Sequence, residues 1–417
     1  MKIVVFTGSY YPNYSAVGVC AKNIVDELIH RGHQVWVICN ITSLKDANLE
    51  FEGAGVRYYQ TKEIVLRLKS KGAYRQIVRL FYFLKTLFLP KSIKRDTISA
   101  MEKCLDGIVA DELGGNCPDL ILGMVFPIES ILASIEWKKR SRGQSKLIPV
   151  IFDNFVENPS LHRLAINRKL KRRRHLKLMI DTFDECDCIL VMHNQKKYYY
   201  DNGLLRPNKT IFVEHPLLVP PSPIVLDHEE YSDSINLLYS GSFLRNYVVS
   251  EHLCELVKSL VDADSSIKAE FCVMGNDIDN VVRLSKEYPN SVKNYGKVPM
   301  SKAVEKMNSA DVFLCVAEKK GRQMSSKIFT YMSFGKPIVL VYYCDTDINK
   351  NVLERYPLLF AIRADSIKNC TPELLSFLKE KGKKKLSFSE VSNLYKDALP
   401  ATLCDYLLAS CSPLNHN

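Results

Sequence analysis

The chain has 417 residues, 47% hydrophobic and 25% charged; two domains of about 200 residues each are expected from that length, and extensive disorder is excluded. No stretch approaches the roughly 18 continuous apolar residues a spanning helix needs, the run Met1–Phe6 breaks at Gly8 before it makes a signal sequence, and thirteen scattered cysteines with no C-x-x-C spacing read as reduced thiols of a cytoplasmic protein. The net charge of +11 is local: residues 62–95 carry ten Lys or Arg against Glu63, residues 168–177 carry seven and no acid, and the remainder nets −5. A local patch implies a local partner.

In chain order, KIVVF at 2–6 predicts a buried parallel strand. A loop over Thr7–Val19 follows, with the turn formers Gly8, Pro12, Asn13 and Gly18. Ile24, Val25, Leu28 and Ile29 give Ala21–His30 one apolar helical face, Gly32 ends that helix, and Gln34–Cys39 is the next strand. Asp119–Leu122, Leu147–Phe152, Cys188–Met192 and Ile211–Val213 repeat the short apolar pattern. Pro216, Pro220, Pro221 and Pro223 then mark a stiff linker.

The alternation restarts beyond it. Ile235–Tyr239 predicts a strand, Gly241-Ser242 a turn, Glu251–Val261 a helix and Ala269–Met274 a strand. Ser301–Asn308, Val312–Val316, Ser326–Phe334 and Pro337–Tyr342 predict helix, strand, helix and strand. The expected fold class is therefore α/β, two Rossmann-like doubly wound domains at 1–215 and 216–400, with a tail at 401–417. Such halves are expected to place a ligand cleft between the carboxyl ends of both sheets.

Several blocks resemble the GT-B glycosyltransferases of the family 4 type. Tyr10–Ile38 (YYPNYSAVGVCAKNIVDELIHRGHQVWVI) is similar to their opening. LLYSGSF (Leu237–Phe243), FCVMG (Phe271–Gly275), NYGKV (Asn294–Val298) and, most specifically, ADVFLCV with SSKIFTYMSFGKPIV (within Ala310–Val339) resemble their second half. The resemblance implies transfer of a hexosyl group from a nucleoside-diphosphate sugar, with the nucleotide in the second domain, the acceptor in the first, and a last helix near 401–409 packed back on the first domain. It also implies no bound metal and no cofactor beyond the sugar nucleotide, so protein cations and amides face the departing diphosphate.

On that reading Lys327 and the N–H groups of Ser325 and Ser326 sit at a helix start and meet the diphosphate. Arg245 follows the first strand of the second domain as a basic contact, Gly18 allows close approach of backbone, and Val298 lies by the base. Bland roles compete: helix capping for the serines, a solvated charge for Arg245, a plain turn for Gly18. Asp153 ends a strand, as a base or a holder of an acceptor hydroxyl, or as a simple turn residue. Asp345 and Asp347 read as turn residues, and His193 and His215 as structural. Arg322 and Thr330 stand where the family has paired glutamates; Thr330 offers one hydroxyl to a ribose, and Glu318 substitutes for the first glutamate only if its loop shifts.

Residues 74–89 (YRQIVRLFYFLKTLFL) combine bulky apolar side chains with Arg75, Arg79 and Lys85, the makeup of an interfacial helix on anionic lipid. The alternative is a helix packed on the first domain. A lipid-linked or saccharide acceptor at the inner face of the cell membrane, in the synthesis of surface polysaccharide, accounts for the apolar and basic surfaces together. No nucleic-acid module surrounds 168–177. A catalytically degenerate scaffold and a sugar-nucleotide epimerase remain as alternatives.

Overall fold

A computed structural model describes residues 1–10, 16–41, 54–88, 93–157, 165–221, 234–245 and 247–411. Pro12, Asn13, Leu89 and Pro223 lie outside these. The chain divides into two compact units, Met1–Leu217 with Asp397–Asn417, and Leu218–Lys396.

In the first unit the elements run β1 (Lys2–Ser9), α1 (Ala16–His30), β2 (Gln34–Asn40), β3 (Gly55–Tyr59), α2 (Lys62–Lys69), α3 (Gly72–Phe88), α4 (Arg95–Asp111), β4 (Leu120–Met124), α5 (Glu129–Arg140), β5 (Lys146–Ile151), α6 (Ala165–Asp184), β6 (Ile189–Met192), α7 (Lys196–Asp201) and β7 (Thr210–Val213). The seven strands are parallel in the order β3-β2-β1-β4-β5-β6-β7. β4 is buried along its whole length, as a strand covered on both faces must be. Val4, Phe6, Ile121 and Leu147 pack with Ile98, Met101 and Leu105 of α4 in the core.

The second unit runs β8 (Ile235–Phe243), α8 (Glu251–Ala263), β9 (Ile267–Gly275), α9 (Asp279–Glu287), β10 (Val292–Asn294), α10 (Met300–Ser309), β11 (Val312–Val316), α11 (Lys327–Ser333), β12 (Ile338–Tyr342), α12 (Ile348–Leu353), β13 (Leu359–Arg363), α13 (Thr371–Lys381) and α14 (Phe388–Leu394). Its six parallel strands are ordered β10-β9-β8-β11-β12-β13. Both sheets share one doubly wound pattern, so the Rossmann-like α/β class is what the chain adopts. The last helix, α15 (Pro400–Cys411), belongs to the first unit. Arg31 of α1 holds it, with Nη1 2.7 Å from Asp405 Oδ1 and Nη2 donating to the Ala401 carbonyl at 3.0 Å.

Two boundaries differ from expectation in ways that matter for function. Helix α1 starts at Ala16, so Gly18 lies in its first turn rather than in the preceding loop. Burial of Val17, Cys20, Ala21 and Ile24 along one stripe outweighs the helix penalty of about 1 kcal/mol for an interior glycine. Gly241 and Ser242 do not form a turn. They continue β8, because β9 pairs with it throughout, from Ile235↔Ile267 to Phe243↔Gly275.

Candidate functional site

The second sheet reverses its strand order between β8 and β11, the place where open α/β sheets bind ligands. β11 pairs with β8 at Leu237 and Leu238, and β8 then runs on to Phe243 beside β9 alone. The Tyr331 hydroxyl serves the backbone left over: it accepts the Ser240 N–H at 3.0 Å and donates to the Ser240 carbonyl at 3.1 Å.

Lys327 opens α11, one turn before Tyr331. Its ammonium lies 5.6 Å from the centroid of the Tyr239 ring and rests over Gly241, where an added Cβ would come within 2.5 Å of Lys327 Cε. Among the described residues it has no hydrogen-bond or carboxylate partner. Burial lowers its pKa below the ordinary lysine value, while the nearby Cys315 thiol works the other way. An unpaired cation stripped of water is costly, and such costs gather at functional sites.

Ser326 takes the cap position of α11 without making a side-chain cap bond. Capping therefore does not account for its hydroxyl. The Ser325 N–H donates to Asn349 Oδ1 at 2.6 Å, so that amide, expected to be free for a ligand, is already engaged. The Ser326 and Lys327 amides have no partner among the described residues. Arg245 is solvent-exposed; its backbone N–H donates to Asn276 Oδ1 at 2.8 Å and its guanidinium is 4.0 Å from Asp279. Val298 is half-buried between β10 and α10, and Thr330 and Arg322 are exposed.

Glu318 is buried and turned into its own loop, where Oε2 accepts the Arg322 N–H at 3.1 Å. Asp347 caps α12 through the N–H groups of Asn349 and Lys350, at 2.8 and 3.0 Å. Lys336, within the GKP block, donates to the carbonyls of Met307, Asn308 and Ala310 at 3.1, 2.6 and 2.5 Å. That lysine ties down the C-terminal end of α10.

No protein-family model and no curated protein sequence matches the chain. Solved structures match it in shape. TarM superposes with a TM-score of 0.62 at 9% identity, covering 99% of each chain. A structure described as trehalose-6-phosphate from E. coli bound with UDP-2-fluoro glucose gives 0.58 at 11% identity, covering 99% of this chain and 100% of that one. The lipopolysaccharide outer core galactosyltransferase WaaB gives 0.51 at 11% identity, covering 98% of each. The fold is GT-B.

The first unit of this GT-B chain carries acids and imidazoles just past its strands. Asp153 follows β5 and Glu214-His215 follows β7. Although Asp153 reaches the surface, the protein around it thins its water and raises its pKa, and the charge of His215 partly offsets this. His215 Nδ1 is 2.9 Å from Glu214 Oε1, and its ring lies 6.2 Å from that of Phe152. Burial opposes ionisation of Glu214, yet the His215 bonds and charge hold its pKa below the ordinary value. Cys20 of α1 is near enough to Asp153 to feel its charge. His193 is exposed and opens a short 3-10 turn.

The sequence marks neither Tyr331 nor Gly241 as part of this site, and His215, expected as structural, is bonded to Glu214. Lys327 and Tyr331 are four residues apart and so share a helix face, a signal present in the sequence. What Tyr331 binds depends on where β11 stops pairing, which no local pattern shows.

Helix α3 presents an exposed apolar face. Tyr74, Ile77, Leu80, Phe81 and Leu84 form a stripe at helical spacing, and all are exposed, Ile77 by 62% and Phe81 by 61%. Arg75 and Arg79 are exposed beside them, and Glu63 of α2 is paired with Lys94 at 2.8 Å. No helix of the described residues is long and apolar enough to cross a membrane.

Proposed function

We propose that the chain is a glycosyltransferase moving a hexosyl group from a nucleoside-diphosphate sugar to a lipid-linked or saccharide acceptor, without a metal, in surface polysaccharide synthesis at the cytoplasmic face of a membrane. The observation that supports it most is the Lys327 ammonium: largely shielded from water, over Gly241 and the Tyr239 ring, and without a hydrogen-bond or carboxylate partner among the described residues, at the reversal point of the second sheet. A diphosphate supplies the missing negative charge and acceptor atoms.

In the proposed reaction an acceptor oxygen bonds to C1 of the sugar as the C1–O bond to the diphosphate breaks. The electron pair leaves with the diphosphate, whose charge Lys327, Arg245 and the Ser326 and Lys327 amides balance. Asp153 takes the acceptor proton or orients that hydroxyl. Gly18 lies at the acceptor edge, Val298 beside the base, and Thr330 offers one ribose contact in place of a carboxylate.

The membrane part rests on α3. Its apolar stripe flanked by arginines and free of unpaired acids suits an anionic bilayer. A partner scaffold is the second reading, favoured by Arg322 and Thr330 standing at the expected ribose carboxylates. A thermal-shift screen against UDP, GDP, ADP, CMP and their sugars separates the two. A ligand at 100 times its Kd stabilises by about 2.7 kcal/mol, and the transferase also releases nucleotide from a donor. No shift with any nucleotide would overturn the transferase reading.

A further inference from the structure

Since the Lys327 ammonium has no ion pair among the described residues, something else has to keep it in place. Lysine has four rotatable side-chain bonds and its head prefers water, so a bare lysine at this edge would swing outward.

Two features of the structure oppose that. Tyr331 is buried and stacked on Phe313 of β11, with ring centroids 4.4 Å apart and planes 6° from parallel. Its hydroxyl bonds both backbone groups of Ser240. It therefore locks α11 to β8 at the first level beyond the end of β11 pairing. Lys327, four residues earlier on the same face, reaches the next level, and the residue it finds there is Gly241. The space a side chain would fill at Gly241 is the space the lysine tip occupies. Gly241 is outside the positive-φ residues, so its backbone does not require glycine, and its lack of a Cβ matters for the room it leaves.

We infer that Gly241 and Tyr331 are positioning residues that seat the Lys327 ammonium in the gap between β8 and β11, ready for a diphosphate. The inference rests on the diphosphate reading of Lys327, and the experiment is chosen to separate the two. The groups facing the ammonium are the Tyr239 ring from β8 and the Cys315 thiol from β11.

The test is calorimetric binding of inorganic pyrophosphate, UDP, GDP and ADP to the full chain and to Gly241→Ala, Tyr331→Phe, Lys327→Ala and the Gly241→Ala/Lys327→Ala double variant. An alanine methyl meets only the flexible lysine tip, so Gly241→Ala should fold and melt like the parent. It should bind pyrophosphate about tenfold or more weakly, the size of one displaced charged hydrogen bond. In the Lys327→Ala background the same change should add nothing, the mark of two residues acting through one interaction. With the ammonium lifted into water, the alkaline loss of binding in Gly241→Ala should move to higher pH. Tyr331→Phe keeps the ring stack, deletes both Ser240 bonds, and should shift the pH profile in the same direction.

Normal binding by Gly241→Ala together with lost binding by Lys327→Ala overturns the positioning inference and leaves the diphosphate reading standing. An equal loss from Gly241→Ala with and without Lys327 also overturns it. Unchanged binding by Lys327→Ala, or none by the parent chain, overturns both.

Discussion

The two sheets share one strand order and differ in what stands at their carboxyl edges. Past β5 and β7 the first unit places Asp153, Glu214 and His215. Past β8 and β11 the second places Lys327, two serines and unpaired amides. The backbone frame is common to both. The charge of each edge is chosen by a few side chains; on the proposed reading one edge takes the acceptor proton and the other meets the diphosphate. A smaller contrast sits inside the second unit. Lys336 and Lys327 are both partly buried, but Lys336 spends its three protons on carbonyls and Lys327 spends none on the described residues. Burial brings Lys336 down to about 8, so it too is shielded. Partners, more than burial, distinguish these two lysines.

Breaking the acidic edge should have the largest effect. Asp153→Asn is expected to cut transfer by about 10²-fold or more, the range of a positioned general base, while nucleotide binding measured by calorimetry stays unchanged. Because the base form is the ionised one, transfer in the parent should fall as pH drops through the raised pKa of Asp153, above the ordinary 3.8. A transfer rate within twofold of the parent would remove Asp153 from the chemistry.

Breaking the basic edge should cost nearly as much. Lys327→Ala should lower transfer by ~10²-fold, as loss of one preorganised charge contact does, and should weaken nucleotide binding too. The depressed pKa of Lys327 means that binding should decline with rising pH before the ordinary 10.5 is reached. Its stability effect has the opposite sign. In the window below 10.5 the unfolded chain holds the Lys327 proton more tightly, so this lysine favours the fold more as pH rises. Lys327→Met should consequently melt no lower than the parent.

Lys336→Met sharpens the contrast between the lysines. It strands the carbonyls at the end of α10 and should cost about 2 kcal/mol in denaturant unfolding, in the range for hydrogen bonds to a charged group, without a specific loss of nucleotide affinity. Equal melting of the Lys336→Met and Lys327→Met variants would erase the distinction drawn here.

The mildest effect is expected at α3. Arg75→Gln and Arg79→Gln should each weaken sedimentation with phosphatidylserine vesicles by about fivefold, near 1 kcal/mol per cation, and Phe81→Glu should weaken it further. Binding that ignores all three changes would assign the stripe to a protein partner.

The basic run at 168–177 is less free than its composition implies. Lys171 is buried, and Arg172 bonds Glu157 and Asn202, each at 2.6 Å. Arg173, Arg174 and Lys177 remain exposed. Local charge counts do not show which cations a helix turns inward.

The sequence by itself determined the two doubly wound halves, because continuous apolar runs such as VFLCV at 312–316 have to be covered on both faces. It did not show β3, β10 and β13, short strands that are largely half-exposed, since such segments form when a neighbour offers hydrogen bonds rather than from their own pattern. It marked Lys327, Asp153 and α3 as residues and segments of interest. The tertiary structure decided that Gly241 is strand rather than turn, that the Ser325 amide is already used, that Glu318 faces its own loop, and that His215 has a glutamate at its side. The strand, amide and Glu318 outcomes depend on pairing between residues distant in sequence or on the path of a loop, which a linear pattern does not carry; Glu214 and His215 are neighbours in the chain, and only their bond belongs to the fold.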